Sequence, residues 1–167
     1  DVDTTRSVTG AADDMLNTFE QFGFEWDGEV VVQSKRTAYY EQALATLVGK
    51  DLIYPCTCSR KQIGDDLTEG KKMGVYNGKC RQRSLPLGEE HALRVRTEAL
   101  TISFDDAVMG PFSQQLDIDV GDFIVKRRDK LFAYQLAVVV DDAEQDITEV
   151  VRGADLLDST PRQIYLQ

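Results

Sequence analysis

The sequence predicts an α/β fold, because helical and strand patterns follow one another along its 167 residues. Near the N-terminus apolar residues recur every three or four positions, which is typical of amphipathic helices. From residue 91 to residue 126 apolar and polar residues alternate instead, which favours strands. After residue 130 there is an apolar run that is too long for one strand. A chain of this length has room for one compact domain with a core of ordinary size.

Two helices are predicted in the first 50 residues. The first spans residues 8–22, and Gly23 ends it. One side of this helix carries four large apolar residues: Met15, Leu16, Phe19 and Phe22. The second helix starts at Ser34, whose side chain suits an N-cap, and stops at Gly49.

The middle of the chain is predicted to be extended. Residues 52–55 form a short extended segment, and the cysteine-containing segment follows it. Three strands are then predicted, at 92–99, 100–108 and 121–127, and turns separate them.

The last third returns to a mixed pattern. A buried helix is predicted at 131–142 and a buried strand with a glycine at its end at 147–153. A final helix begins with Thr160 as its N-cap and Pro161 as its first helical residue.

The composition excludes several classes of protein. A hydrophobic fraction of 42% and a charged fraction of 29% are typical of globular proteins. No apolar run approaches the roughly 18 residues that a membrane span needs, and the first residues lack the apolar core of a signal peptide, so we expect a cytoplasmic protein that does not enter a membrane. The net charge of −10 argues against a general nucleic-acid coat protein, although short basic stretches remain available to RNA.

All three cysteines lie in one stretch, at Cys56, Cys58 and Cys80. In a reducing compartment such a cluster favours zinc over a disulfide. The fourth ligand stays open between Tyr76, the single histidine, His91, and a carboxylate, and residue type alone favours His91 because phenolate is an unusual zinc ligand. The alternative is that the cysteines are small buried apolar residues.

Several motifs resemble the glutamyl-tRNA synthetase family of class I synthetases. Residues 133–142 have the pattern A-Y-x-x-A-x-V-x-D-D, 147–155 the pattern I-T-x-V-x-R-G-x-D, and 159–163 the pattern S-T-P-x-Q. The start of the chain, DVDTTRS, and residues 22–47 resemble two further family segments. The resemblance covers essentially the whole chain.

Within the family the chain resembles one short branch most. This resemblance rests on the three valines before Asp141 and on the segment RGADLLDSTPRQI, residues 152–164. Leu156 stands where full synthetases tend to have histidine. The resemblance implies an enzyme that activates L-glutamate with ATP and transfers the glutamyl group to queuosine in the anticodon of tRNA(Asp). The alternatives are the catalytic domain of an ordinary glutamyl-tRNA synthetase, which charges the tRNA 3′ end, and a noncatalytic RNA-binding module. We expect a monomer.

The resemblance also implies site residues. The family binds zinc through C-x-C, a tyrosine and a third cysteine, which replaces His91 by Tyr76 beside Cys56, Cys58 and Cys80. It holds glutamate through the residues that correspond to Tyr134 and Arg152. A guanidinium can pair with a carboxylate through two hydrogen bonds, and a phenol can fix its orientation.

The fold implied is a class I, Rossmann-like catalytic domain with an inserted, zinc-bearing α+β subdomain. We expect residues 1–50 to be N-terminal helices of the catalytic domain, 51–122 the zinc-bearing, acceptor-type insertion and 123–167 the second half of the catalytic domain. The H-I-G-H and K-M-S-K-S type motifs that bind ATP are not in these 167 residues. We therefore expect a partial domain without its first strand, and the catalytic residues stay unknown.

Charged residues near these motifs have two interpretations each. Asp141 and Asp142 are candidates for RNA or structural contacts, and Asp155 for a contact to the ribose or the reactive end. Six cations are candidates for phosphate contacts or for ordinary solvated charges: Arg81, Arg83, Lys126, Arg127, Arg128 and Lys130.

Overall fold

The computed structural model describes residues 2–64, 75–83, 85–88 and 90–167. The helices in these ranges are α1 (Ala11–Gln21), α2 (Thr37–Gly49), α3 (Arg60–Gly64), α4 (Tyr134–Glu144) and α5 (Thr160–Leu166). The strands are β1 (Ile53–Cys56), β2 (Ala92–Val95), β3 (Thr101–Asp106), β4 (Gly110–Gln115) and β5 (Ile124–Lys126). Short helical turns lie at Gln33–Lys35, Leu116–Val120 and Ala154–Ser159. The predicted α/β class is confirmed.

Two antiparallel sheets are formed by the described strands. The first has the order β1-β2-β5, and the second is the β3-β4 hairpin. Alternation along β1 divides the first sheet between two cores: Ile53 faces the main core with Val95, whereas Tyr54 and Cys56 face the cysteine cluster. Because both faces are covered, all four residues of β1 are buried.

The main core lies between α2, α4 and the first sheet. Tyr40 of α2 packs against Phe132, with 5.5 Å between the ring centroids. Leu136 and Ala137 of α4 and Val125 of β5 belong to the same buried cluster. This packing places the N-terminal end of α4 next to the sheet.

A buried carboxylate, that of Asp141, joins α4 to the segment before α2. Arg36 Nε donates to Asp141 Oδ1 at 2.7 Å and Gln33 Nε2 donates to Asp141 Oδ2 at 2.8 Å. The Tyr40 hydroxyl donates to the same group at 2.9 Å. Asp141 is thus a structural contact, which decides between its two interpretations.

The prediction of Ser34 as an N-cap is wrong. Residues Gln33–Lys35 form a 3₁₀ turn, and α2 starts at Thr37 with Arg36 as the N-cap. The turn brings Gln33 and Arg36 to Asp141, a contact across more than 100 positions that no local pattern shows. The predicted stop at Gly49 is confirmed.

The predicted strand at 147–153 is also wrong. These residues form neither helix nor strand, and Val151 is 100% exposed. In the ranges that the structure describes, no strand lies beside this segment, so its backbone has no sheet partner. The apolar pattern is typical of a strand, but a pattern alone does not supply a neighbouring strand.

Three smaller differences concern a strand that is not predicted, a helix boundary and the exposure of a helix. Strand β4 is not predicted from the sequence because half of its residues, GPFSQQ, are polar and it includes a glycine and a proline. Ser159, rather than Thr160, is the N-cap of α5. Helix α1 forms within the predicted range, but most of its apolar side is exposed, with Met15 56% accessible, and so is Phe22, which directly follows the helix. The domain boundaries and the Rossmann-like parallel sheet stay predictions.

None of the described helices combines the length and the apolar composition that crossing a bilayer requires.

We expect Asp141→Asn to lower the free energy of unfolding by about 3 kcal/mol, because it breaks a buried ion pair with Arg36. Asp142→Asn is the matched control on the adjacent residue. Burial, and then the charge of Asp141, raise the pKa of Asp142, so its charged form is disfavoured in the folded protein. Its neutralisation should change stability by less than about 0.5 kcal/mol. Urea unfolding of both variants is the measurement, and equal losses would contradict the assignment.

Candidate metal centre and substrate-binding residues

The three cysteines meet at the end of β1. Their Sγ atoms all lie within 4.8 Å of one another, and Cys58 Sγ is 3.6 Å from Cys80 Sγ. A disulfide needs about 2.05 Å between the sulfurs, and all three thiols are free. The cluster is therefore an arrangement of thiols that can bind a metal ion.

The hydroxyl of Tyr76 completes the cluster. It lies 3.5 Å from Cys56 Sγ and 3.8 Å from Cys58 Sγ, and it accepts a hydrogen bond from the Cys80 backbone N–H at 2.8 Å. Tetrahedral zinc, with bonds of about 2.3 Å to sulfur and about 2.0 Å to oxygen, separates sulfur atoms by about 3.8 Å and sulfur from oxygen by about 3.5 Å. The separation of Cys58 Sγ from Cys80 Sγ and the two distances from the Tyr76 hydroxyl to sulfur are close to these values, so the arrangement is compatible with one tetrahedral ion.

His91, the alternative fourth ligand, lies elsewhere. It lines a cavity of about 540 Å³ whose other walls include Glu41 and Leu44 of α2 and Lys126 of β5. Among the described residues, the group that can hold a metal ion consists of Cys56, Cys58 and Cys80 without His91.

The environment of the cluster favours a thiolate at Cys80. Burial raises the pKa of the Cys80 thiol, but hydrogen bonds from Tyr76, from the Thr57 backbone and from the other two thiols outweigh burial and lower the pKa to about 6. Burial raises the pKa of Cys58 and of Tyr76. Because the thiolate is the form that binds metals, Cys80 is poised for metal binding near neutral pH.

The buried carboxylate of Asp122 accepts hydrogen bonds from residues that are close to the cysteines in the sequence. It is 2% exposed and accepts hydrogen bonds from the Tyr54 hydroxyl, from the Arg81 guanidinium and, at 2.8 Å, from the Thr97 backbone N–H. Burial raises the pKa of Asp122, but these donors, led by Arg81, outweigh burial and lower it. Tyr54 precedes Cys56 by two residues and Arg81 follows Cys80, so Asp122 ties both sides of the cluster to one point.

Gly121 allows the segment of Tyr76 to approach this point. Its φ is +66°, and a β-bridge joins it to Tyr76. A Cβ at Gly121 would lie 2.6 Å from the Tyr76 carbonyl oxygen, which is closer than any side chain can come. Sequence reasoning missed the roles of both Gly121 and Asp122; the available signal was a glycine at the first position of the strand predicted at 121–127.

The candidate glutamate residues lie at the start of α4 and beside the start of α5. Arg152 donates to Gln163 Oε1 at 2.9 Å and to the Thr160 hydroxyl. Gln163 donates in turn to Gln135 Oε1 at 3.1 Å. Tyr134 precedes Gln135 and is 44% exposed. Two hydrogen bonds therefore link Arg152 to the residue next to Tyr134.

The whole chain, residues 1–167, matches a family model described as "tRNA synthetases class I (E and Q), catalytic domain". The chain belongs to this family.

Relatives and solved structures agree with this membership. Three proteins named "Glutamyl-Q tRNA(Asp) synthetase" match all of this chain. The sequence identity is 52% for the protein from Neisseria meningitidis Z2491, 54% for that from Ectopseudomonas mendocina and 55% for that from Dechloromonas aromatica. The match covers 58%, 54% and 56% of the length of these relatives, in the same order. The chain thus spans little more than half the length of these relatives. A glutamate tRNA ligase from Elizabethkingia meningosepticum, solved with its amino acid, is similar in fold, with a TM-score of 0.79 over 99% of this chain and 38% of that one at 22% identity.

In this synthetase domain the charge of Arg152 reaches two carboxyl groups. It lowers the pKa of Asp142, although burial and Asp141 raise that pKa by more. The pKa of Asp106 is lowered chiefly by hydrogen bonds from the backbone N–H groups of Met109 and Val108, and the charge of Arg152 lowers it further. Arg152 therefore lies in electrostatic reach of α4 and of the β3-β4 hairpin. Asp155, at the start of its helical turn, is exposed.

Several cations proposed for phosphate contacts are already paired. Lys126 Nζ lies 2.6 Å from Glu41 Oε1, and Arg127 bonds to Asp3 at 2.7 Å and to Asp129. Separately, Arg81 is held by Asp122 and Arg128 donates to the Thr57 carbonyl oxygen at 2.9 Å. These pairs reduce the positive field available to RNA, and a phosphate-binding role for these cations stays a prediction.

Gly121→Ala should destabilise the domain strongly and loosen the cluster, because its Cβ would collide with the backbone of Tyr76. Gly110→Ala is a matched control, since Gly110 also has a positive φ, +79°, but has nothing within 4 Å of the position that the new methyl group would take. The control should lower the free energy of unfolding by only the cost of the left-handed backbone, about 1–2 kcal/mol. Gly121→Ala should lower it by at least about 2 kcal/mol more than the control. Chemical denaturation measures both, and equal losses would sink the close-approach argument.

Proposed function

We propose that this chain is part of an enzyme that activates glutamate with ATP as glutamyl-adenylate and transfers the glutamyl group to queuosine in the anticodon of tRNA(Asp). The observation that carries the proposal is that relatives named "Glutamyl-Q tRNA(Asp) synthetase" match the chain from end to end at 52–55% identity. Membership of the class I (E and Q) family supports the same chemistry. A tRNA substrate would place the enzyme in the cytoplasm.

The two alternatives receive less support. An ordinary glutamyl-tRNA synthetase is similar to this chain in fold, but the solved examples share only 22% of its residues. A noncatalytic RNA-binding module is not what the names of the relatives describe. The acceptor on the tRNA separates the enzymatic alternatives.

We propose Arg152 and Tyr134 as the residues that bind the glutamate substrate. Arg152 bonds to two neutral acceptors, Gln163 and Thr160, and no described carboxylate forms an ion pair with it. A fixed guanidinium without a bonded carboxylate suits the carboxylate of an amino acid. The exposed ring of Tyr134 lies at the start of α4. The next residue, Gln135, accepts a hydrogen bond from Gln163, which also bonds to Arg152.

We propose that Cys56, Cys58, Tyr76 and Cys80 bind one zinc ion. All four would be protein ligands, and a zinc site closed in this way has no open position for substrate. The ion would therefore brace the loop that carries Tyr76 and Cys80 against β1, and the chemistry would take place at the glutamate site and the ATP site.

The activity is tested with the full-length protein by pyrophosphate exchange into ATP in the presence of glutamate. We expect exchange, and we expect glutamate transfer to tRNA(Asp) whose 3′-terminal ribose has been oxidised, because queuosine lies in the anticodon. Transfer that is lost on oxidation would favour the ordinary synthetase, and no exchange with or without tRNA would remove both enzymatic proposals.

The same assay tests the substrate residues. Arg152→Gln should raise the KM for glutamate by about tenfold or more, through the loss of a charge-assisted pair, and leave the KM for ATP nearly unchanged. Arg162→Gln is the control, because among the described residues Arg162 bonds only to Asp158, through a hydrogen bond to its carbonyl oxygen at 3.1 Å and an ion pair at 3.7 Å. Equal effects of the two substitutions would contradict the assignment of Arg152.

Zinc is tested by metal analysis of protein purified without chelator, and we expect about one equivalent. Cys80→Ser should abolish stoichiometric zinc. Tyr76→Phe should weaken zinc binding, whereas His91→Ala should leave it unchanged, because His91 lies in a different cavity. The reverse result for Tyr76 and His91 would return the fourth ligand to the histidine.

A further inference from the structure

Arg94 lies against the cysteine cluster, and no carboxylate of the described residues forms an ion pair with it. It is 5% exposed, and its guanidinium carbon lies 4.0 Å from the centroid of the Tyr76 ring. It belongs to β2, the central strand of the first sheet, where it lies opposite Tyr54 of β1. Opposite residues of antiparallel strands share a face, so Arg94 is on the face that carries Tyr54 and Cys56.

The guanidinium is incompletely satisfied. One terminal nitrogen, Nη1, donates to the Asp122 carbonyl oxygen at 2.5 Å, and Nε has no hydrogen-bond partner in the ranges that the structure describes. In the described part of the chain no carboxylate forms an ion pair with Arg94, because Arg81 and Thr97 bond to the Asp122 carboxylate. A buried cation is costly unless a negative charge lies nearby.

The loaded metal centre would supply that negative charge. Zinc bound by three thiolates and one phenolate has a net charge of about −2. When such a centre forms, the protons of the thiols and of the phenol pass to solvent. The Tyr76 ring would belong to this anionic centre, and its face is in contact with the Arg94 guanidinium.

We propose that Arg94 is a positioning residue of the metal centre: its planar guanidinium holds the Tyr76 ring against the three cysteines and balances the negative charge of the loaded site. This inference rests on the proposed zinc site. It extends that site to a residue that binds no metal itself, in the way that outer partners commonly orient metal ligands.

The same strand region offers a matched comparison. Arg96 lies two positions further along, and its guanidinium carbon is 4.9 Å from the centroid of the Tyr54 ring. Its Nε also lacks a partner in the described structure. Tyr54, however, bonds to Asp122 and is not one of the four proposed ligands. An effect that belongs to the metal centre should therefore appear at Arg94 and be absent at Arg96.

The test measures the zinc dissociation constant of the full-length protein by competition with a chromophoric chelator. Arg94→Met should raise this constant at least about tenfold, and Arg96→Met by less than about threefold. In a Tyr76→Phe background Arg94→Met should raise the zinc dissociation constant by less than about threefold, because the ring that Arg94 contacts then no longer carries a ligand oxygen. Arg94→Lys, which keeps the charge, should lie between wild type and Arg94→Met.

A spectroscopic readout separates positioning from general stability. With cobalt(II) in place of zinc, Arg94→Met should change the visible bands of the tetrahedral ion, and Arg96→Met should not. Should Arg94→Met fail to fold, Arg94→Lys in both Tyr76 backgrounds gives the same comparison. Equal losses for Arg94 and Arg96, or an equal loss with and without the Tyr76 hydroxyl, would overturn the proposal while leaving the zinc site standing. No zinc in the wild-type protein would overturn both.

Discussion

The carboxylate of Asp122 is the constraint on which the cysteine cluster depends. Three segments donate to it: β1 through Tyr54, the turn after Cys80 through Arg81, and the residues after β2 through Thr97. A charge buried this completely must be paired and hydrogen-bonded. The three segments therefore cannot shift independently, and two of them carry cysteines of the cluster. Gly121, the residue before Asp122, adds the close approach that brings Tyr76 to the same place.

A second buried carboxylate, that of Asp141, has the same role on the other side of the main core. It fastens α4 to the turn before α2 through Arg36 and Gln33. Helix α4 also reaches α5 through the hydrogen bond between Gln135 and Gln163, and Gln163 holds Arg152. The candidate glutamate residues are thus positioned by side chains of a fastened helix, although residues 147–153 themselves form no regular element. The family's acidic pair is divided between a structural residue, Asp141, and a neighbour, Asp142, in electrostatic reach of Arg152.

Two candidate sites with different chemistry follow from this arrangement. The cysteine cluster offers four inward-facing donor atoms and would be closed once filled, which suits a brace. Arg152 keeps its charge unpaired by any described carboxylate and has neutral hydrogen-bond partners, which suits a carboxylate substrate. At each candidate site a polar side chain has hydrogen-bond partners from other segments: Asp122 at the cysteines and Gln163 beside Arg152.

The sequence by itself determined the elements whose cause is local. Helices α1 and α2 follow from apolar periodicity and α4 from an apolar run that is too long for one strand. Gly49 ends α2, and the clustered cysteines indicated a metal site before any fold was known. Only the tertiary structure decided contacts between distant positions. It placed the hydroxyl of Tyr76, the residue that the family resemblance implies, at the thiols and His91 in a separate cavity. It left segment 147–153 without a sheet partner among the described strands, and it brought Asp122 and Arg94 against the cluster. Such contacts depend on which segments fold against one another, and a hydrogen bond that spans 68 residues, such as Tyr54 to Asp122, leaves no periodic trace in the chain.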